Sequence, residues 1–400
     1  MKIVDKKDCC GCGACVNACP SHSLTMAEDE EGFLYPETDD STCTECGLCG
    51  KCCPVLHAKA DIPFAQDGYL ARIKDLQIRK ESTSGGVFTA IAQSVIRAGG
   101  IVYGAAYDQD FRVCHSAALT DQELYRFRGS KYVQSDTKET FREVKEYLRD
   151  GKLVCYSGTP CQIEGLKRYL KEEPAHLITV DFVCHGVPSP LIWRKYLEMQ
   201  MEKYPDSHIT DILFRNKGKF GYQYSVMTIK SGRKELYARG TETDPMLRAF
   251  FSDICDRPSC YACKFKKRYR MSDITIWDCF DVRKFQVPWD DHTGASQMLV
   301  HTDKGRTVFR SIEERVESVF IEPDRLTEDT WPMFESVKAK SVREDFFRDA
   351  ASMCGFELFH KYYPQNLSVK MARCGRVICY KTGIYGFVRR MYHRYFKQRK

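Results

Sequence analysis

The spacing of apolar residues divides the chain into three regions, and the longest of them, residues 61–325, alternates between strand and helix periods. Short apolar runs predict buried strands, and apolar residues three or four positions apart predict amphipathic helices. In the first of these helices Val87, Ile91 and Val95 share one face, and glycines end the segment. The predicted strands are 69–73, 101–107, 152–158 and 177–184, and the predicted helices are 84–100, 140–151, 161–170 and 189–204.

Strands that alternate with helices are typical of an α/β sheet covered by layers of helices. Residues 209–240 have the pattern of added antiparallel strands, so we expect the sheet to be mixed. Before residue 60 the chain contains a repeat, in which Cys9–Pro20 matches Cys43–Pro54, and after residue 325 it becomes helical, aromatic and basic. We therefore predict a small N-terminal domain (residues 1–60), a mixed-sheet α/β domain (61–325) and a helical C-terminal extension (326–400).

The amino-acid composition indicates the cellular compartment of the protein and argues against one class of partner, nucleic acids. The chain has 400 residues, of which 43% are apolar, and a formal net charge of +7. Residues 358–400 hold 11 basic and no acidic side chains, and without those charges the net charge of the chain is −4. Because the positive excess lies in one terminal segment, the net charge does not indicate a nucleic-acid-binding surface. The start MKIVDKKDCC has no secretory pattern, and no apolar run reaches the ~18 residues of a spanning helix. The 21 cysteines therefore favour metal thiolates in a reducing cytoplasm over disulfides.

Both halves of the N-terminal repeat have the spacing C-x2-C-x2-C-x3-C-P, the run found in two-cluster bacterial ferredoxins. Three closely spaced thiolates hold three irons of a 4Fe-4S cluster, and the fourth cysteine ligates the other cluster. Zinc is the alternative, but two complete runs closed by proline favour iron. Cys10 and Cys52 are interpreted as spare thiols. The predicted ligands are Cys9, Cys12, Cys15 and Cys53 for the first cluster and Cys19, Cys43, Cys46 and Cys49 for the second.

A second group of cysteines lies in the larger region, at predicted strand ends or in loops. Cys161 and Cys184 are isolated, whereas Cys260 and Cys263 form a C-x2-C pair, which is a moderate metal signal. From these residues alone, a third cluster, a zinc pair and buried thiols all remain open. The other cysteines are interpreted as small buried apolar residues: Cys114, Cys155, Cys279, Cys354, Cys374 and Cys379.

Short motifs in the larger region occur in an order that resembles a known family. They are SGG at 84–86, GSKY at 129–132, GTPCQI at 158–163, VCHG at 183–186 and CYACKFKKRYRMSDITIWD at 260–278. From about residue 69 to residue 325 the chain resembles the coenzyme F420 hydrogenase/dehydrogenase beta-subunit family. The resemblance implies a flavoprotein domain that binds FAD beside a 4Fe-4S cluster, with Cys161, Cys184, Cys260 and Cys263 as ligands. Cys255 lies outside the family pattern and is a reserve ligand or a spare thiol.

Two glycine-containing segments are the candidate flavin contacts. Ser84, Gly85 and Gly86 lie at a helix start, where amides favour a pyrophosphate, and an ordinary N-cap is the alternative. In the second segment Lys131 could bind phosphate or stabilise a reduced, anionic flavin, and Tyr132 could stack on the flavin. Without the resemblance, this segment would be interpreted as a polar loop. This segment consists of Gly129, Ser130, Lys131 and Tyr132. No G-x-G-x-x-G run follows a strand, which argues against a Rossmann nicotinamide site.

The resemblance implies an oxidoreductase in which a flavin exchanges hydride and clusters carry single electrons. We expect a redox partner protein and a small-molecule hydride donor or acceptor, and no catalytic residue is assigned. The direction of electron flow stays open: reduced deazaflavin could feed ferredoxin, or reduced ferredoxin could drive reduction of a substrate. A relay subunit without its own substrate is the alternative function. His185 is either a proton donor near the site or a loop histidine.

The C-terminal segment from Val377 alternates aromatic and aliphatic residues with arginine and lysine. This composition is typical of a helix on an anionic membrane surface, although Gly383 and Gly386 weaken a helix. Docking of the segment on the acidic N-terminal domain is the alternative. Extended bacterial members of the resembled family are associated with surface-polysaccharide synthesis, which would suit a location at the inner face of the membrane.

Overall fold

A computed structural model describes residues 3–289, 292–385, 387, 388 and 391. The helices are α1 (Ala14–Ala18), α2 (Leu48–Lys51), α3 (Leu76–Glu81), α4 (Val87–Arg97), α5 (Thr140–Arg149), α6 (Pro160–Leu170), α7 (Pro190–Lys203), α8 (Pro245–Phe251), α9 (Asp303–Ile312), α10 (Pro323–Thr327), α11 (Trp331–Phe334), α12 (Arg343–Ser352), α13 (Gly355–Tyr362) and α14 (Leu367–Lys381). The strands are β1 (Leu24–Glu28), β2 (Leu34–Thr38), β3 (Asp67–Ile73), β4 (Ile101–Tyr107), β5 (Val113–Ala118), β6 (Val154–Gly158), β7 (Leu177–Phe182), β8 (Asp211–Asn216), β9 (Val226–Ser231), β10 (Lys234–Arg239), β11 (Ile274–Cys279), β12 (Ala295–Val300) and β13 (Val316–Phe320).

The centre of the molecule is an eight-stranded sheet of order β13-β3-β12-β11-β7-β6-β4-β5. The strands β4, β6, β7 and β11 run parallel to one another, and the strands at both sides join them antiparallel. Alternate residues face opposite layers, since Tyr156 packs with helices α5 and α6 while Cys155 packs with α4 and α9. The predicted mixed α/β fold is thus confirmed.

The prediction that residues 209–240 enlarge the main sheet is wrong. The strands β8, β9 and β10 form a separate three-stranded antiparallel sheet. Phe214 and Ile229 of this sheet pack with Trp193 and Tyr196 of α7 in a core of their own. Because this apolar face has its own helical partner, it needs no edge of the main sheet. The antiparallel members of the main sheet are instead β3, β5, β12 and β13.

The N-terminal segment packs closely on the α/β region. The Arg142 guanidinium of α5 donates to the backbone oxygens of Val16 (2.9 Å), Asn17 (2.9 Å) and Cys19 (3.0 Å) around the end of α1. On the other side Arg257, which is 1% exposed, donates to the backbone oxygens of Cys9 (2.7 Å) and Leu34 (2.9 Å). These charge-assisted hydrogen bonds hold the cysteine-rich segment in one orientation.

The region after residue 325 is helical, as its sequence pattern predicts. Helices α12 and α13 pack on α7 through Phe346 and Phe359, whereas α14 contains no buried residue. The prediction that all six remaining cysteines are buried is wrong in part: Cys374 is exposed and Cys379 half-buried because they lie on α14, and Cys354 is exposed where it precedes α13. The buried members of that set are Cys114, Cys155 and Cys279.

Within the described part of the chain, the helices are all too short or too polar to cross a membrane.

Candidate cluster and cofactor sites

One set of cysteines surrounds a small cavity of about 20 Å³ in the N-terminal segment. Its cysteine lining consists of Cys19, Cys43, Cys46 and Cys49, the set that the sequence assigns to the second cluster. Burial raises the pKa of the Cys49 thiol, and the nearby Cys46 and Cys19 raise it further. Cys46 is exposed, so this cavity lies at the surface of the molecule.

A second set lies deeper, where α1 meets α6. Burial raises the pKa of Cys15, and the charges of Cys9, Cys52 and Cys53 add to the effect because these thiols are close to it. The fourth expected ligand, Cys12, packs against Gly165 of α6, where a Cβ would lie 2.9 Å from the Cys12 sulfur. Gly165 therefore makes room for Cys12, and nothing in the cysteine spacing pointed to it. Cys52, interpreted as a spare thiol, lies beside this set and is 2% exposed.

A third set surrounds a cavity of about 40 Å³ in the α/β region. Cys161 follows β6 and Cys184 follows β7, and these parallel neighbours end at the same edge of the sheet. The loop after β7 is held by the Lys266 ammonium, which donates to the backbone oxygens of Cys184 (2.6 Å) and His185 (3.0 Å). The cysteine lining consists of Cys10, Cys161, Cys184, Cys260 and Cys263, which includes the four ligands implied by the resemblance.

Two cysteines with open assignments are placed clearly. Cys255 lies in the apolar core around Trp193, outside the lining of the third cavity, which favours a spare thiol. Cys10 occupies a more informative position, because it packs in one apolar cluster with Cys12 of the first set and in another with Cys161 of the third set, whose cavity it also lines. Its adjacency to a ligand in the sequence gave no sign of this bridging position.

A cavity of about 1140 Å³ lies beside the third cysteine set and is far larger than the cavities of about 20 and 40 Å³ that the cysteines surround. Cys161 and Cys184 line both this large cavity and the small third cavity. The large cavity also contains nearly all of the expected flavin contacts. Those that line it are Ser84, Gly86, Gly129, Ser130, Lys131 and Tyr132.

The two flavin-contact segments are hydrogen-bonded to each other. The Thr83 hydroxyl accepts from the Ser130 amide at 2.7 Å, and its oxygen lies 3.0 Å from the Ser130 hydroxyl. Gly85 does not line the cavity, because a Cβ there would lie 2.6 Å from the Ala71 oxygen. Close packing on the sheet therefore explains Gly85, whereas the sequence interpretation assigned it to close approach of a pyrophosphate.

Part of the large cavity wall is suited to anions. Gly86 is the N-cap of helix α4, has a φ of +78° and offers no side chain to the first-turn amides. The first-turn amides and the positive end of the helix dipole thus face the cavity region. Arg128 also lines the cavity, where its buried Nε has no hydrogen-bond partner among the described residues.

The expected roles of Lys131 and Tyr132 change in the structure. The Lys131 ammonium donates to the backbone oxygens of Arg126 (2.9 Å), Gly129 (3.2 Å) and Arg128 (3.3 Å), so its donors organise its own loop. Burial lowers the pKa of Lys131 to about 7. Tyr132 stacks on Phe250 at a centroid distance of 4.5 Å. Both residues shape the cavity wall.

Part of the cavity wall is aromatic. Its lining includes Trp277, whose buried indole N–H has no hydrogen-bond partner in the described chain. Asp278 accepts from Arg215 at 2.7 Å and from the Tyr222 hydroxyl at 2.9 Å, which fixes the wall beside Trp277. Trp277 and Asp278 lie within the long motif at 260–278, but their spacing gave no reason to select them.

His185 lies between this cavity and a buried acidic group. Its Nε2 is 2.7 Å from Asp253 Oδ1, and its ring packs edge-on against Phe250. Asp256 is fully buried, and both carboxylate oxygens are without a hydrogen-bond partner in the described chain. Burial, and then the charge of Asp253, raise the pKa of Asp256 to about 8. His185 thus contacts the cavity wall and forms an ion-pair geometry with Asp253.

Comparison with known proteins gives a consistent assignment. A model of 4Fe-4S dicluster domains matches residues 8–56. Models of the coenzyme F420 hydrogenase/dehydrogenase beta subunit match residues 68–141 (N-terminal model) and 151–325 (C-terminal model). An uncharacterized ferredoxin of Methanocaldococcus jannaschii is 40% identical over 52 residues, which are 13% of this chain and 66% of that protein. A chain of the F420-reducing NiFe hydrogenase complex from Methanosarcina barkeri aligns with a TM-score of 0.46 and 17% identity, over 69% of this chain and 93% of that chain.

Proposed function

Because the chain belongs to the coenzyme F420 hydrogenase/dehydrogenase beta-subunit family and carries a 4Fe-4S dicluster domain, we propose that it is a flavin-dependent iron-sulfur oxidoreductase. The observation that carries the proposal is the single large cavity that is lined by both flavin-contact segments and by Cys161 and Cys184. A bound FAD supplies hydride exchange, and the clusters supply one-electron transfer. The protein's contribution is to hold these groups side by side.

The residues of the cavity fit a dinucleotide, because its wall contains both N–H donors for phosphate and aromatic side chains for a flat ring system. The amides at the start of α4 and the Nε of Arg128 would hold the pyrophosphate, while the Nη1 of Arg128 donates to the Glu81 carboxylate. The indole N–H of Trp277 would donate to the ring system, and the wall around Tyr132 would pack against it. Buried donors that lack partners inside the chain are expected where a ligand supplies the acceptors.

The cysteine sets support a linear order of redox centres. The third set adjoins the cavity, Cys10 packs between the third and first sets, and the second set includes the exposed Cys46. We infer that electrons enter or leave the chain by way of Cys46 and that hydride chemistry occurs at the opposite end. Twelve cysteines would hold three clusters, with the assignments given by the spacing and by the family resemblance. In this proposal residues 1–60 act as the ferredoxin domain, 61–325 as the flavin domain and 326–400 as an extension.

The proposed series of redox centres has two ends, and each end suggests one kind of partner. A redox protein would dock near Cys46, and a small molecule would reach the cavity, whose rim includes Phe251 (47% exposed), Phe280 (40%) and Trp331 (41%). We place the protein in the reducing cytoplasm, where thiolate ligands persist. The support for a role in surface-polysaccharide synthesis is that the chain continues beyond the family-matched residues, since extended bacterial members of the family are associated with that process.

Single-turnover mixing under anaerobic conditions tests this function. The chain is mixed with a reduced deazaflavin, and in a second experiment with reduced ferredoxin, while flavin and cluster absorbance are followed separately. We expect one donor to bleach both chromophores in the parent chain. Replacement Cys161→Ser should preserve flavin bleaching with the hydride donor and slow cluster bleaching at least about tenfold, because it removes one of the two proposed ligands that line the cavity.

Cys279→Ser is the matched control, because Cys279 also lines the large cavity but lies outside the three cysteine sets. Equal cluster bleaching in the Cys161→Ser and Cys279→Ser proteins would contradict the proposed order. Exchange of electrons with a redox protein, but with no small-molecule donor or acceptor, would assign the chain to the alternative role of a relay subunit.

A further inference from the structure

Helix α14 carries an apolar stripe on its outer side. Leu367 is 72% exposed, Met371 64% and Ile378 59%, and Cys374 lies between them and is also exposed. These residues are spaced by four, three and four positions, which places them on one face of a helix. Exposed apolar residues continue beyond the helix with Ile384, Phe387, Val388 and Met391. Single exposed apolar residues are ordinary, but an aligned series is characteristic of a binding surface.

The opposite face of α14 fixes the helix to the segments that adjoin the small three-stranded sheet. Arg376 Nη1 lies 3.2 Å from Glu242 Oε2, and the Tyr380 ring is 5.4 Å from the ring of Phe220. Beyond the helix, the Tyr385 ring is 5.5 Å from the ring of Tyr224. The alternative of docking on the acidic N-terminal domain is therefore not observed for these residues. Because the inner contacts hold one face, the stripe is directed away from the protein.

The charge around the stripe selects the class of partner. Lys370 and Lys381 are exposed and flank the stripe on one side of the helix. Residues 358–400 contain 11 basic and no acidic side chains. A second copy of this helix would bring the same positive charge, which disfavours pairing of two stripes. An anionic lipid surface offers both an apolar boundary for the stripe and opposite charge for the lysines.

We propose that the outer face of α14 binds the surface of an anionic bilayer, with the helix axis parallel to the membrane plane. The stripe of Leu367, Met371 and Ile378 enters the boundary between headgroups and acyl chains, and the lysines remain at the headgroups. This attachment needs no spanning segment. It does not depend on what occupies the large cavity, so it can fail without the proposed function failing.

Vesicle co-sedimentation of the anaerobically purified full chain tests the proposal. The probes are vesicles of phosphatidylcholine alone and vesicles that also contain phosphatidylglycerol. We expect binding to the anionic vesicles, weakened by salt, and at least about tenfold less binding by the triple variant Leu367→Gln, Met371→Gln, Ile378→Gln. The double variant Lys370→Gln, Lys381→Gln should lose about fivefold for each charge removed.

Phe356→Gln is the matched control, because Phe356 is 60% exposed on α13 and lies outside the stripe. Unchanged iron content in every variant shows that the chain still folds. Equal binding of the triple variant and the parent chain, or equal binding of the parent chain to neutral and anionic vesicles, would overturn the proposal. Absence of vesicle binding, together with dimers that dissociate in the triple variant, would overturn it in favour of a second copy of the chain.

Discussion

The hydroxyl of Thr83 gives a precise test of how the large cavity is organised. It accepts from the Ser130 amide at 2.7 Å and lies 3.0 Å from the Ser130 hydroxyl, so it ties together the two segments that line the cavity. Thr83→Val keeps the shape of the side chain and removes both hydrogen bonds. A partly buried N–H that loses its partner costs about 1–3 kcal/mol.

Ser130 and Thr83 are both only partly buried, so the lower half of that range applies. About 1.4 kcal/mol corresponds to a tenfold change in a dissociation constant. If FAD binding requires the two segments to be held together, Thr83→Val should raise the Kd for FAD about tenfold. The assay is titration of the flavin-depleted chain with FAD, followed by flavin fluorescence.

Thr307→Val is the control for loss of a threonine hydrogen bond. Thr307 is exposed on α9, and its hydroxyl donates to the Asp303 backbone oxygen of the same helix at 3.0 Å. Its Kd for FAD should equal that of the parent chain. The reasoning is refuted if both variants bind FAD as tightly as the parent chain, or if both lose affinity equally.

Further predictions concern the cysteine set beside the cavity, the contact between the N-terminal segment and the α/β region, and pH. Cys184→Ser should lower iron from about 12 to about 8 atoms per chain, measured by metal analysis, whereas Cys279→Ser should leave it unchanged. Arg257→Met removes the donors to the Cys9 and Leu34 backbone oxygens. It should weaken docking of the N-terminal segment by about 4 kcal/mol, seen as faster proteolysis near residue 60, and unaltered cleavage would contradict this. Burial lowers the pKa of His115 to about 4, so stability is fully present above about pH 6.5 and decreases as the pH falls toward 4. Between about pH 7 and 5 the parent chain should lose about 2 kcal/mol of folding stability through His115, and His115→Gln should not show this part of the loss in thermal melting. An identical pH profile of stability in the two proteins would refute the lowered pKa of His115.

The parts of the fold that depend on local periodicity could be predicted from the sequence. Short apolar runs predict β6 and β7, and apolar residues at helical spacing predict α6 and α7. The structure confirms each of these elements. Pairing between distant strands could not be predicted in the same way. The main sheet contains β12 beside β3, which are separated by more than 200 residues, and only tertiary packing decides this arrangement.

In the candidate site, too, the residues in local motifs could be predicted from the sequence and those that depend on long-range contacts could not. Cysteine spacing identifies ligand types because a cluster imposes its own geometry on a short run of chain. It gives no information about residues that act through long-range contact, such as Cys10 against Cys161 or Gly165 against Cys12. The buried donors of Arg128 and Trp277 are recognisable only once the cavity that they line is known.

The central claim is that the large cavity holds FAD beside a third cluster, and the most direct test is the cofactor content of the chain purified without oxygen. Iron, acid-labile sulfide and flavin are measured per chain. The account predicts about 12 iron and 12 sulfide atoms with about one FAD. About 8 iron atoms and no flavin would contradict it, and would limit the redox chemistry of the chain to its N-terminal domain.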